Sequence, residues 1–261
     1  MSVLAALLIA VGAADLGRSL LDQSGAGRAL SRGVATALGV AVLLVVAALG
    51  GLLTGPGPWL VAVAALTVGA WVISSDIAAS APRGHVLALL TLGLGTVAQL
   101  ALSGWAPEAG GALGRWLDWA HLPWSPDPER ALLISGLALV QLSTGNLLVR
   151  LVLISTDAMA AAPARPAPAR PAPAGTEQPS SELKGGRLLG PLERLAILGL
   201  GLSGQATAAG LVVAAKALIR WPELSAHSRT GYAHIDKVTE YFLVGSFVSW
   251  LVALGALVLA W

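Results

Sequence analysis

No cysteine occurs in this chain, so disulfides, thiolate metal sites and cysteine nucleophiles are excluded together. Charge is scarce: Asp, Glu, Lys and Arg make up 11% of 261 residues, against about 25% in a soluble domain. Strand-like alternation of apolar and polar residues is also missing, which argues against a β-barrel. Sixteen basic and fourteen acidic residues nearly cancel, too small an excess to expect nucleic acid as a partner. What remains is apolar, with 56% hydrophobic residues collected into long runs. Several of these approach or exceed the ~18 residues that mark a membrane-crossing helix. The expected class is an all-α, polytopic helical membrane protein with six or seven transmembrane helices.

The opening run "MSVLAALLIAVGAADLGRSL" lacks the basic leader of a secretory signal, and Arg18 follows the apolar stretch. Residues 2–22 therefore read as a retained first helix with its N-terminus outside. Further runs cover 33–54, 59–75, 86–103 and 131–153, the second ended by the breaker "GPGP" at 55–58. Between the fourth and fifth, "APEAGGALGRWLDWAHLPW" puts Leu113, Trp116, Leu117 and Ala120 on one helical face, with Arg115 and Asp118 off it. That pattern suits a short helix lying on the bilayer surface.

Residues 158–185 interrupt this pattern with "ARPAP" repeats that cannot form a core and should be a solvated, polyproline-like linker. They divide the chain into a five-helix region, 1–157, and a C-terminal membrane helical pair, 186–261. Abundant Ala, Gly, Arg and Pro fits a GC-rich bacterial genome, hence a bacterial cytoplasmic membrane. Basic residues favour the cytoplasmic side. With seven crossings and an outer N-terminus, ten Lys/Arg lie inside and six outside. The segment 216–237, "KALIRWPELSAHSRTGYAHIDK", holds four of those six.

Two placements of 190–218 follow. As one tilted helix starting at Gly190-Pro191, the segment presents Ala206, Gly210 and Ala214 at the spacing that lets helices approach closely. Broken at "GLGLSGQ" (199–205) it becomes a re-entrant hairpin, which moves 216–237 inside and leaves fourteen basic residues inside against two outside. The continuous helix is the favoured expectation, because glycine is common in spanning helices.

Polar residues within apolar runs are the candidate site. Lys216 and Glu240 bracket the last loop and could form an ion pair, as a clamp between helices or as a gate. Gln141, Thr144 and Asn146 in "QLSTGNLLVR", with Gln99 and Gln205, could line a polar path or bond neighbouring helices. Asp15 and Arg18, three residues apart, read as a local pair. His85, His121, His227 and His234 are scattered without ligand spacing, so no metal is expected, and no cofactor or catalytic motif is found.

Four stretches carry a resemblance: "GNLLVR" (145–150), "LKGGRLLGPLERLAIL" (183–198), "GQATAAGLVVAAKALIRWPEL" (204–224) and "TEYFLVGSFVSWLVALG" (239–255). Together they resemble a group of uncharacterised bacterial multi-pass membrane proteins bearing a domain of unknown function. The resemblance covers the C-terminal third and the end of the fifth run. It implies an integral membrane protein without an assigned activity. It also singles out a charged frame of Arg187, Glu193, Arg194, Lys216, Arg220 and Glu240. The function to expect is a structural or scaffolding component whose partners are the bilayer and other membrane proteins or a second copy. The alternative is a transporter or channel for ions or small solutes.

Overall fold

The computed structural model describes residues 1–25, 27–78, 84–121, 127–156, 186–227 and 232–260; in the last two segments it describes side chains at 189–216, 218 and 243–260. The linker at 158–185 and the side chains of Arg187, Arg220 and Glu240 lie outside these. Among the described residues the chain is all-α. The helices are α1 Ser2–Gln23, α2 Arg28–Leu49, α3 Gly57–Ala78, α4 Gly84–Ala101, α5 Gly111–Ala120, α6 Pro128–Leu142, α7 Thr144–Ser155, α8 Gly186–Leu202, α9 Ala206–His227 and α10 Tyr232–Ala260. Among the described residues, the helices α1 to α4 and Leu243–Ala260 of α10 are long and apolar enough to cross a membrane, and α6 with α7 is a bent pair that makes a sixth if the two are one span. The protein is a polytopic helical membrane protein.

The centre of the bundle is α1. It is apolar on all sides, which is how a helix with no solvent face reads, and residues 2–12 are all buried. Close approach to α6 rests on two glycines: a Cβ on Gly12 would stand 2.8 Å from that of Leu139, and one on Gly136 would stand 2.9 Å from the Ala5 carbonyl oxygen. Leu4, Leu8 and Leu137 form one apolar cluster with Leu198 of α8 and Ala256 of α10. The two regions separated by the linker in sequence thus share a core.

Three expectations about helices change. The second run starts about five residues earlier than its hydrophobicity suggested, at Arg28, and ends about five earlier because Gly51 takes a left-handed conformation (φ 72°) that an α-helix cannot continue. The fifth run is not one helix: it breaks at Ser143, and its halves meet at 49°. Nor is 190–218 one continuous helix. It begins earlier, at Gly186 with Pro191 inside it, and turns at Ser203–Gln205.

That turn closes the end of α8. Gly204 sits at φ 78°, its N–H bonds the Gly201 carbonyl at 3.0 Å, and the Gln205 N–H bonds the Leu200 carbonyl at 2.8 Å. This is the double bond of a Schellman cap, which needs a left-handed residue. Helix α9 then runs back along α8, so 193 and 216 become neighbours. A 17-residue α8 is ~25 Å long at 1.5 Å per residue. The turn is exposed.

Candidate functional site

The break at Ser143 has two buried charges around it, one reaching it from α1 and one from α8. Asp15 of α1 is buried, and both of its oxygens accept from the Trp71 indole N–H of α3 at 3.1 Å. Thr144, the first residue of α7, donates its hydroxyl to the same carboxylate at 2.6 Å. Ser143 donates to the Gly12 carbonyl at 2.8 Å. The break is therefore tied to α1 by two side chains.

Arg194 of α8 approaches from the other direction. It is only 2% exposed, although its side chain carries a full charge. An unbroken helix would give the Gln141 carbonyl to the Gly145 N–H; here Arg194 Nη2 and Nε donate to it at 2.8 and 3.2 Å. Nη2 also donates to Asn146 Oδ1 at 2.8 Å, and Nη1 to Ser249 Oγ of α10 at 3.3 Å. Glycine at 145 is what admits the guanidinium, since a Cβ there would stand 2.7 Å from Arg194 Nε. Planar, multiply donating arginine suits this task, because one group satisfies acceptors on three helices.

Next to Arg194, Glu193 serves another contact. Its Oε2 accepts from Lys216 Nζ at 2.6 Å and its Oε1 from the Trp250 indole N–H at 3.1 Å. Lys216 thus pairs across the α8–α9 hairpin. Glu240, proposed as its partner from sequence, lies on α10 with its side chain outside the described set.

Arg18 does not form the local pair with Asp15. It reaches α3, donating to Ser75 Oγ at 2.8 Å and pairing with Asp76 at 3.5 Å, while Arg32 of α2 pairs with the same carboxylate at 3.2 Å. Asp76 lies at the end of α3, beside the end of α1 and the start of α2, where a two-arginine cluster can form. Asp15 is nearly a turn further inside.

The five polar candidates divide. Gln99 donates to the Leu60 carbonyl of α3 at 2.9 Å, and Gln141 to the Val252 carbonyl of α10 at 3.2 Å. Thr144 and Asn146 serve Asp15 and Arg194. Gln205 stands apart in the exposed hairpin turn. A crevice of about 200 Å³ between α4 and α10, floored by α1, is walled by Leu8, Val11, Leu92, Leu137 and Leu251, with Thr96 and Gln141 as its only polar side chains. Trp71, Ser249 and Trp250 were not singled out by sequence; each sits on an apolar helix, and only the packing shows which charge it faces.

The pair across the hairpin yields a first prediction. Glu193→Leu removes the acceptor from two half-buried donors and should cost roughly 1–3 kcal/mol. Lys216→Met should cost more, since it leaves the buried Glu193 carboxylate without a counter-charge, whereas in Glu193→Leu the lysine stem can carry its ammonium toward the membrane edge. The double variant Glu193→Leu/Lys216→Met should be more stable than Glu193→Leu alone, because no charge is then left without a counter-charge. Unfolding midpoints in detergent for the three variants check this order.

Compared with known proteins, the chain matches no family model, no curated protein and no solved structure.

Proposed function

We propose that the chain is a structural component of a membrane assembly, a bundle whose polar side chains hold its own helices in place. One observation carries this reading: Gln99, Gln141, Thr144, Asn146 and Arg194 all bond groups on neighbouring helices. Bonds of this kind hold helices together in lipid, where no water competes for them. The apolar crevice offers no lined path for water or ions, which agrees with a scaffold. The membrane in this reading is the bacterial cytoplasmic membrane. The bilayer and other membrane proteins or a second copy are the partners, and the C-terminal motifs belong to the bacterial group they resemble.

A transporter is the second reading, favoured by the broken helix between Asp15 and Arg194. Discontinuous helices with buried charges at the break build the substrate sites of many transporters. Ion and solute flux in proteoliposomes separates the two. The scaffold predicts no flux above empty vesicles, and reduced stability or assembly in Gln99→Ala and Gln141→Ala. Flux in the parent that disappears in folded Gln141→Ala would establish the transporter.

The hairpin also supports one topology for this reading. With α9 returning to the side where α8 begins, 216–237 joins the inner segments. Fourteen of the sixteen basic residues are then cytoplasmic. In intact cells, Ser228→Cys and Ala174→Cys should both resist an impermeant maleimide and react after permeabilisation. Labelling of Ser228→Cys in intact cells would reverse the placement.

A further inference from the structure

Four tryptophans gather at one end of the bundle, the end where the Met1 amine meets Glu129 and Ser2 bonds the Pro107 carbonyl. Trp59 opens α3, Trp105 follows α4, and Trp116 and Trp119 lie on α5. All four are exposed, at 40%, 65%, 53% and 75%. Trp59 and Trp105 meet edge to face, with ring centroids 6.1 Å apart. Exposed indoles in such number are unusual on a face meeting only water, and common where a protein meets lipid headgroups.

Round its axis, helix α5 passes from apolar to aromatic to charged. At 100° per residue, Leu113 and Leu117 share one side, and Leu117 is the residue of α5 buried against the bundle. Trp116 and Trp119 occupy the arc on one flank of that side, and Arg115 and Asp118 the arc beyond, with Arg115 adjoining Trp119; all four are exposed. A water-facing cap needs only the apolar side and a polar remainder. An aromatic arc has a use only if something other than the bundle and water lies beside it.

The height of α5 is fixed as well. The Gly110 N–H bonds the Gly50 carbonyl at 2.8 Å. At Gly111 (φ 58°) a Cβ would stand 2.7 Å from the Leu49 carbonyl oxygen and 2.8 Å from the Gly51 nitrogen. Backbone touches backbone there, so α5 starts level with the end of α2. Since α2 is a crossing helix, its end marks where hydrocarbon gives way to headgroups. The aromatic side of α5 is thus held at the level where α2 ends.

We infer that α5 is a membrane-interface helix: Trp116 and Trp119 enter the headgroup layer beside Trp59 and Trp105, and Arg115 and Asp118 face water. The occupant of the aromatic face is phospholipid. Because the chain has no cysteine, nitroxide labels can be placed singly at 115, 116, 118 and 119 in the full chain. All four side chains are exposed, so the labels displace no core.

In phosphatidylcholine vesicles, Trp116→Cys and Trp119→Cys should collide with oxygen in preference to a water-soluble nickel chelate. Arg115→Cys and Asp118→Cys should show the opposite preference. Nickel access at all four positions would make α5 a soluble cap and overturn the inference. Shielding of 116 and 119 from both quenchers would assign the face to a second copy or another protein and overturn it too. In the unlabelled parent, lipids brominated near the headgroup should quench tryptophan emission more than lipids brominated at the chain end. The reverse order would also overturn it.

Discussion

Replacing Arg194 by leucine should abolish the folded protein, or leave it less stable by about 1–3 kcal/mol for each buried acceptor left without a donor. Total stabilities of about 5–15 kcal/mol leave little margin for such a loss. The reason lies in the acceptors: the Gln141 carbonyl, Asn146 and Ser249 would each lose the donor that Arg194 supplies. Lysine should not rescue it well, because one ammonium cannot reproduce a fork that reaches α6, α7 and α10 together. A coupling follows from Gly145. Gly145→Ala should cost about 1–3 kcal/mol in the parent by overpacking against the guanidinium, and distinctly less in Arg194→Lys, where that group is gone. Thermal unfolding of the two single variants and the double variant measures this interaction. Additive losses would show that Gly145 is needed for the backbone break alone.

The second large effect concerns Asp15. Asp15→Ala leaves the Trp71 indole N–H and the Thr144 hydroxyl buried without an acceptor, at about 1–3 kcal/mol each. Asp15→Asn should recover part of this, since its carbonyl oxygen can accept while its NH₂ cannot. Removing the donors along with the acceptor should help further: Trp71→Phe in the Asp15→Ala background should raise the unfolding midpoint, although the same change lowers it in the parent. A uniform loss across all combinations would mean that packing volume at Trp71, and not its bond to Asp15, holds α1 to α3.

Much of this arrangement is legible from composition and spacing, and the exceptions have physical causes. Long apolar runs marked the crossing helices because lipid demands them, and the "GGALGRWLDWA" segment is indeed a helix, α5. The break at Ser143 is less visible. Ser143, Thr144 and Gly145 are a weak interruption inside an apolar run, and such residues are tolerated in unbroken membrane helices. What makes the break stable is Arg194, about fifty residues along the chain, and no local pattern announces a partner at that distance. The hairpin differs: "GLGLSGQ" contained its turn, with Gly204 at the left-handed position, but the abundance of glycine in membrane helices argued for continuity. From sequence, Lys216 is a charge that needs a counter-charge, with Glu240 as the expected partner; in the structure it bonds Glu193. Its contact to Glu193 depends on that turn and cannot be read without it.

The central place of α1 has a consequence for biogenesis. Its walls are supplied by α2 and α3, made soon after it, and by α6 and α10, made much later. On the order of a hundred residues separate α1 from the end of α6, which at about 5–20 residues per second is several seconds of synthesis. During that interval the Asp15 carboxylate waits for the Thr144 hydroxyl, and the face around Gly12 has no neighbour. Helix α1 must therefore be sheltered at the insertion machinery or shielded by lipid until α6 arrives, and its enclosure is a late event for an early segment.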